Sequence, residues 1–560
     1  MSRKKRKIKS RERPEIKNTG YSEGGASHKS NILKSWNPVK SSSKSDIDWN
    51  AETLRNRAAD LAINTPIGAA ALNTSVTHAV GTGLTLFPRP KFSELGISVE
   101  ESRRWIKKTR AEFELWAESK HCDIYRRNNF YDLQHIAYLS YMTDGDAFAV
   151  FRRKLPDVAN PYSLRIQLLE ANRVSNPLSG GFTTVSQVEM NAPTKGNRIV
   201  SGVEVDKTGA IVAYWVSNKV PYDRVDLTGV TEWQRVKAYG DHTGLPNILQ
   251  ICHDIRADQY RGVPYLAPVL ETLKQTSRYT TAELASAIVK TFFALFFTSS
   301  AAGGDLNSMM GAGSFQGDPN EPVVNVNEYA LGPGTLNALP QGVDVKAMDA
   351  SNAQSTFGIF VQELVKQAGA ALGQPYEVLM KHFTSSYSAS RAALLQAWDE
   401  YKQRRIWFAR DFCQPVYEVW LAEAVALGRV ECPGFFDDPA IRKAWCNAEW
   451  FGPSMSILDP VKDVNGSILR VQSGLSTGER EAAEMTGSDY EENMQQIAYE
   501  RELRESLGLP ELTAKREGGE RNEQKSKNDN DTDNDDEVLE GDEQSRGRNR
   551  RTPDLWGNRV

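Results

Sequence analysis

The hydrophobic period changes twice along this chain. That alternation restricts it to mixed folds in which helices and sheets occupy separate stretches. Leu54, Ala58, Leu61, Ala62 and Ile67 recur at near-helical spacing, which predicts a helical segment over Asp46–Gly81, broken or restarted at Pro66. A second amphipathic helix is expected over Ser102–Ser119, with Trp105, Ile106, Phe113 and Trp116 on one side, and a third over Phe130–Met142. The period then shortens. Ala147–Arg153, Ser163–Leu169, Ser201–Val205, Ile211–Val216 and Arg235–Ala238 are β-prone runs punctuated by Gly, Pro, Asn and Asp, and a hairpin is expected to turn at Lys207–Gly209. From Pro264 to about Phe293 the helical pattern returns. A Gly/Ser/Asn/Asp-rich loop is expected over Ser299–Asn320, then short strands near Tyr329–Leu331, Thr335–Leu339 and Asp344–Ala347. A helix over Ser355–Leu372 is cut off by Gly373 and Pro375. After a polar loop, Ser388–Leu427 reads as one long helix kinked or divided by Pro415, followed by helical pieces to Leu507. The fold class is α+β.

Both ends differ from this body. The first 45 residues, with nine Lys or Arg among the first 17, offer little to bury, and the stretch from Glu511 onward joins an acidic low-complexity run to the basic cluster RGRNRR. Such compositions are expected to stay disordered. The formal net charge of -4 therefore averages two strongly charged ends and a nearly neutral body of roughly 465 residues, a length sufficient for several domains. A near-neutral body does not bind nucleic acid through bulk positive potential. Five scattered cysteines without a C-x-x-C pair fit reduced thiols better than a disulfide framework. The basic N-terminus lacks the apolar core of a signal peptide, and Leu284–Phe297, the most apolar stretch, is too short to span a bilayer. No membrane partner is expected.

Catalytic motifs are sparse. No G-x-x-x-x-G-K-[ST] phosphate cradle occurs. Gly81-Thr82-Gly83 reads as a helix stop. Gly20-Tyr21-Ser22-Glu23-Gly24 matches a nucleophile elbow only in letters, since the strand before it and the helix after it are missing. His121-Cys122 and Cys252-His253 lack zinc spacing, Asp529–Glu543 lacks the EF-hand pattern, and the tryptophans of 398–420 fit a core-packing stripe. Catalytic residues, cofactors and metals are all expected to be none. Two stretches mix the side chains that contact phosphates without reading bases. One is the basic leader. The other is the loop Tyr376–Ala389, which holds Lys381, His382, Phe383, Thr384, Ser385, Ser386 and Tyr387.

Several stretches taken in order carry a more specific signature. They are LRNRAADLAINTPIGAAALNTSVTHAVGTGLTL (54–86), LLEANRVSNP (168–177), QYRGVPYLAPVLETL (259–273), SYSASRAALLQAW (386–398), FCQPVYEVWL (412–421), ILDPVKD (457–463) and LSTGEREAAEMTGSDYEE (475–492). On these the chain resembles the lambda-type family of tailed-phage portal proteins over most of Asp46–Pro510. The leader and the acidic tail lie outside the resemblance.

The resemblance implies a ring, a dodecamer in that family's virion, at the unique capsid vertex. Double-stranded DNA enters and leaves through its channel. A separate terminase subunit supplies the ATPase, in keeping with the missing phosphate cradle. It implies a portal fold of wing, stem, clip and crown around the channel. Residues 1–45 would be a disordered leader, 46–262 the wing, 263–293 and 351–373 the paired stem helices, and 294–350 the clip. Residues 374–389 would be the tunnel loop, 390–510 the long wing helix and crown, and 511–560 a disordered tail. The implied partners are other copies of the chain, the DNA, the terminase large subunit, a head–tail connector, and the major capsid protein with its scaffold. The implied location is the virion, with host cytoplasm during assembly.

A conduit that lets DNA slide is expected to make few strong phosphate contacts. Lys381, with His382, Thr384, Ser385 and Ser386, is the expected DNA-facing set. Gln362, Glu363, Lys366 and Gln367 would form a polar channel face opposite Phe360, Leu364 and Ala368, although an ordinary solvated helix face fits those polar residues equally well. A packaging nuclease or protease would need a paired-carboxylate metal site or a catalytic triad, neither of which can be placed. A scaffold-like structural protein that never touches DNA is the other alternative.

Overall fold

A computed structural model of the protein describes residues 26–28, 31–158, 160–177, 189–221, 230–292, 296–299, 343–346, 354–383, 386–455 and 460–509. The chain divides into two units, residues 1–491 and 492–560.

Helices α1 (Ala51–Asn64) and α2 (Pro66–Ala79) are separated where expected. Thr65 is extended, with ψ 127°, and Pro66 opens α2 at a position whose N–H would have no helical partner in any case. Gly81, at φ 59°, ends α2 by donating its N–H to the Val76 carbonyl. Strand β1 (Thr85–Pro88) follows. Helix α3 (Val99–Ala117) starts at a capping box in which Ser98 and Glu101 satisfy each other's backbone N–H, and it buries Trp105, Thr109, Phe113 and Trp116. Asn129 and Asp132 form the same device at the start of α4 (Phe130–Asp144).

The sheet region holds β2 (Asp146–Arg153), β3 (Leu164–Leu169), β4 (Glu189–Asn191), β5 (Arg198–Val200), β6 (Val203–Val205), β7 (Ile211–Ser217), β8 (Trp233–Lys237) and β9 (Ile248–Cys252). They form an antiparallel three-stranded sheet in the order β3-β2-β9 and an antiparallel five-stranded sheet running β4 to β8. The expected hairpin joins β6 to β7. There the Asp206 carboxylate accepts the Thr208 and Ala210 N–H groups, and Gly209 sits at φ 91°. Strands β4, β5 and β9 were not expected from the sequence. Phe148, Val150, Val203, Val205, Tyr214 and Ile248 fill a core shared by the two sheets.

Helix α5 (Leu270–Phe292) leads to β10 (Phe296–Ser299), which pairs antiparallel with β11 (Val343–Lys346). The strands expected at Tyr329–Leu331 and Thr335–Leu339, and all but the first residue of the expected loop Ser299–Asn320, lie outside the described residues. Helices α6 (Gln354–Ala371), α7 (Tyr376–Met380), α8 (Tyr387–Phe408) and α9 (Gln414–Ala426) come next, so a stretch read as polar loop contains the short helix α7. The long helix divides at a π-helical turn, Ala409–Cys413, one turn ahead of Pro415. Proline cannot donate to the Asp411 carbonyl, and just ahead of it the Gln414 N–H reaches back five residues to the Ala409 carbonyl in the wider turn. Helix α10 (Pro439–Trp445), strand β12 (Ala448–Phe451) and helices α11 (Pro460–Gln472), α12 (Gly478–Thr486) and α13 (Tyr490–Ser506) complete the order.

The main core joins both halves of the sequence. Phe113, Trp116 and Phe130 pack with Phe412, Tyr417 and Trp420, all fully buried. The Phe113 and Trp420 rings meet edge to face at 5.0 Å. Strand β1 pairs antiparallel with β12, Thr85 opposite Phe451. The leader was expected to bury little up to residue 45, yet Ser43 is buried, and Lys44 forms an ion pair with Glu189. The rest of the leader before Ala26, with the Gly20–Gly24 match, and the tail from Pro510 lie outside the described residues.

Candidate functional site

The loop Tyr376–Ala389 is anchored through Gln374. Its amide donates to the Ala71 carbonyl at 2.9 Å and lies 3.1 Å from the Tyr265 hydroxyl, and Tyr265 in turn donates to the Leu372 carbonyl. Gln374 is buried, so the chain leaving α6 is fixed to α2 and to the segment leading into α5. Helix α7 then buries Val378 and Leu379. It stops at Lys381, a non-glycine residue at φ 53°, ψ 36°, whose N–H returns to the Glu377 carbonyl. A left-handed lysine is an uncommon helix end. It turns Lys381, His382 and Phe383 into solvent, all three exposed.

The five residues assigned to DNA contact do not all share this position. Thr384 and Ser385 lie outside the described residues. The Ser386 hydroxyl accepts the Ala389 N–H at 3.4 Å, which caps α8. Lys381 faces α2 closely enough to act on His78: burial first, then the Lys381 and Arg405 charges, hold that imidazole below its ordinary value. His78 stacks on Tyr401 at 5.1 Å.

On α6, Glu363, Lys366 and Gln367 are exposed and Gln362 is half-buried, with Glu363 and Lys366 paired at 2.7 Å. The buried face is Val365, Ala368 and Leu372, with Val361 against the core. The expected apolar face was Phe360, Leu364 and Ala368. Ala368 alone of these is buried, and Phe360 is 51% exposed. Phe360 falls beyond the reach of the core and meets Tyr279 of α5 at 5.3 Å instead, beside Phe357. The two helices α5 and α6 thus pack on each other through aromatic contacts.

The pairs considered for metal have other partners. His121 Nδ1 lies 2.9 Å from Asp157, and His253 stacks over Trp407 at 3.7 Å. Burial pushes the Cys122 and Cys252 thiols up. Among the described residues no three His, Cys, Asp or Glu come together as metal ligands, and no helix is long and apolar enough to cross a membrane. Trp420 is a core residue, whereas Trp398 and Trp407 are half-buried beside His78 and His253.

Sequence reasoning missed a buried ionic joint between the helices and the sheets. Asp146 and Arg261 are both buried. Arg261 donates to both Asp146 carboxylate oxygens, at 2.6 and 3.1 Å, and to the carbonyls of Ala171, Val174 and Ser201. Burial would raise the Asp146 carboxyl, but the Arg261 and Arg55 guanidiniums outweigh it and hold it below the ordinary value. The one signal for this joint is the arginine inside QYRGVPYL, a stretch whose period gives no reason for a charge to be buried. A cleft of about 1000 Å³ lies elsewhere, lined by Trp398 and Lys402 of α8, Trp450 of β12, and Lys462 and Arg470 of α11.

Three comparisons bear on this arrangement. A family profile described as phage portal protein, lambda family, matches residues 29–405. Portal protein B of Escherichia phage lambda is 26% identical over 513 residues, covering 88% of this chain and 91% of that protein. The portal protein of Escherichia phage N15 is 26% identical with the same coverage, and a probable portal protein of Halomonas phage phiHAP-1 is 23% identical over 465 residues, 82% of each chain. Among solved structures, the neck of a native gene transfer agent particle covers 82% of this chain and 94% of its own, at 13% identity and TM-score 0.38.

Proposed function

The chain belongs to the lambda family of phage portal proteins, and from that premise we propose that it closes into a ring, a dodecamer, at one capsid vertex and passes double-stranded DNA through its axis. It is a portal protein of a phage virion, joining head to tail. On this reading residues 46–262 form the wing, α5 and α6 the stem, 294–350 the clip, 374–389 the tunnel loop, and 390–510 the long wing helix and crown. The chain does no chemistry of its own. A terminase large subunit docks at the clip during packaging, and the head–tail connector replaces it. The major capsid protein and scaffold surround the ring as it assembles in the host cytoplasm.

The observation that carries the conduit reading is the corner at Lys381. One cation with His382 and Phe383 stands exposed at the end of the short helix α7, which follows α6 with its exposed Glu363, Lys366 and Gln367. A lone lysine per copy attracts phosphate without holding it, because each engaged cation adds both affinity and salt dependence. Thr384 and Ser385, the next two residues in sequence, would add hydroxyls to the same DNA-facing set. Gln362, Glu363, Lys366 and Gln367 suit a channel wall for a related reason: the Glu363–Lys366 pair cancels charge along it.

Electron microscopy of the purified full chain tests the ring. Closed rings with a hole that admits a duplex are expected. Monomers or open filaments would sink the conduit.

A further inference from the structure

Helix α11 carries an apolar stripe that stays exposed among the described residues. Val461, Val464, Ile468 and Val471 recur at alternating spacings of three and four, continued past the helix end by Leu475, and each is 37–78% exposed. That is the heptad seam by which one helix receives another. The stripe is not free to rotate inward. On the other side of α11, Ser467 is buried, Arg470 donates to both carboxylate oxygens of Glu481 on α12 at 2.9 and 2.6 Å, and Asp463 pairs with Arg391 of α8 at 3.1 Å. Five adjacent exposed aliphatics on a fixed face are characteristic of an interaction surface.

The same chain supplies a matching helix. None of the residues of α13 is buried, and Tyr490, Met494, Ile497, Tyr499 and Leu503 are each 43–60% exposed. Its charge also fits. Helix α13 has five carboxylates against two arginines, while α11 has Lys462 and Arg470 against Asp463. A ring closes through unlike patches, one on each side of every copy, whereas a single self-complementary patch would stop at a two-fold dimer.

We propose that α13 of one copy docks on the α11 stripe of the next, so that this helix pair is a subunit interface of the assembly. The inference rests on the ring reading above, and its test separates the two. In the full-length protein, Val464→Cys and Ile497→Cys are combined and oxidised. Both positions are exposed, and the wild-type chain controls for its own five cysteines, four of them buried. Loss of the monomer band into a ladder of linked multimers on a denaturing gel is the expected result, with each single variant remaining monomeric. A linked species that runs as a monomer would overturn the proposal, because α13 would then lie on its own α11. Dimers from Val464→Cys alone would overturn it in favour of like-to-like packing. Intact rings without any link would place the contact elsewhere, and a wild-type chain that forms no rings would remove the ring reading itself.

Discussion

Asp48 has both carboxylate oxygens buried without a hydrogen-bond partner, at the point where the N-terminal segment reaches the Asp146–Arg261 joint. Burial pushes its carboxyl from 3.8 up to about 6, with Arg261, Lys44 and Arg55 pulling it down and Asp146 adding to the rise. Burial likewise raises the Asp144 carboxyl to about 6. The folded state thus holds these protons more tightly than the unfolded chain does. Their contribution to stability is complete below about pH 4 and is lost as pH rises through about 6. Above that range a desolvated charge remains in the fold as a cost. Asp48→Asn removes one such charge, so its thermal midpoint should exceed that of the wild type at pH 7. The two midpoints should converge near pH 4. A variant no more stable at pH 7 would show that the neighbouring cations fully compensate the carboxylate.

Between elements, the tightest constraint is the corner where α4 turns into β2 against the chain entering α5. Gly145 ends α4 at φ 90°, and a side chain there would meet the Gly262 carbonyl carbon at 2.6 Å. A side chain on Gly262 would run into the Gly145 carbonyl in return. Both contacts are backbone to backbone, so no side chain can swing aside. This close crossing aligns the Gly262 N–H with Asp146 at 3.1 Å and sets Arg261 between the two sheets. Gly262→Ala should therefore destabilise the chain by at least about 3 kcal/mol, the upper end of what overpacking costs. Gly244→Ala is the control, a site at φ 62° with open space around it, where the left-handed backbone alone costs about 1 kcal/mol. Comparing the two unfolding midpoints reads the difference. Equal losses would mean that the corner relaxes.

For the whole molecule, the test of passage is Lys381→Ala. Rings should remain intact, because the Lys381 side chain is exposed and its N–H, which the substitution keeps, makes the bond that ends α7. The amount of DNA packaged or retained should change, and unchanged packaging would remove the loop from the mechanism. Much of the frame that holds this loop is legible in the chain itself. The break at Pro66 and the turn at Lys207–Gly209 are decided by neighbours within a few residues, and the structure keeps both; the capping pairs Ser98–Glu101 and Asn129–Asp132 are just as local but were not anticipated. What the sequence could not supply are the pairings between distant stretches. Strand β12 is four residues that hydrogen-bond to β1 more than 350 residues earlier. The buried face of α6 turned out to run through Val365 and Leu372, and Arg261 is a charge that only a folded joint can desolvate and satisfy at once. Sequence by itself determined the helix break at Pro66, the hairpin turn, the charged ends, and the family, since each depends on local chemistry or on ordered stretches of residues. Tertiary structure alone decided which faces are buried and which charges meet, because burial and ion pairing are set by partners that the chain brings together only when it folds.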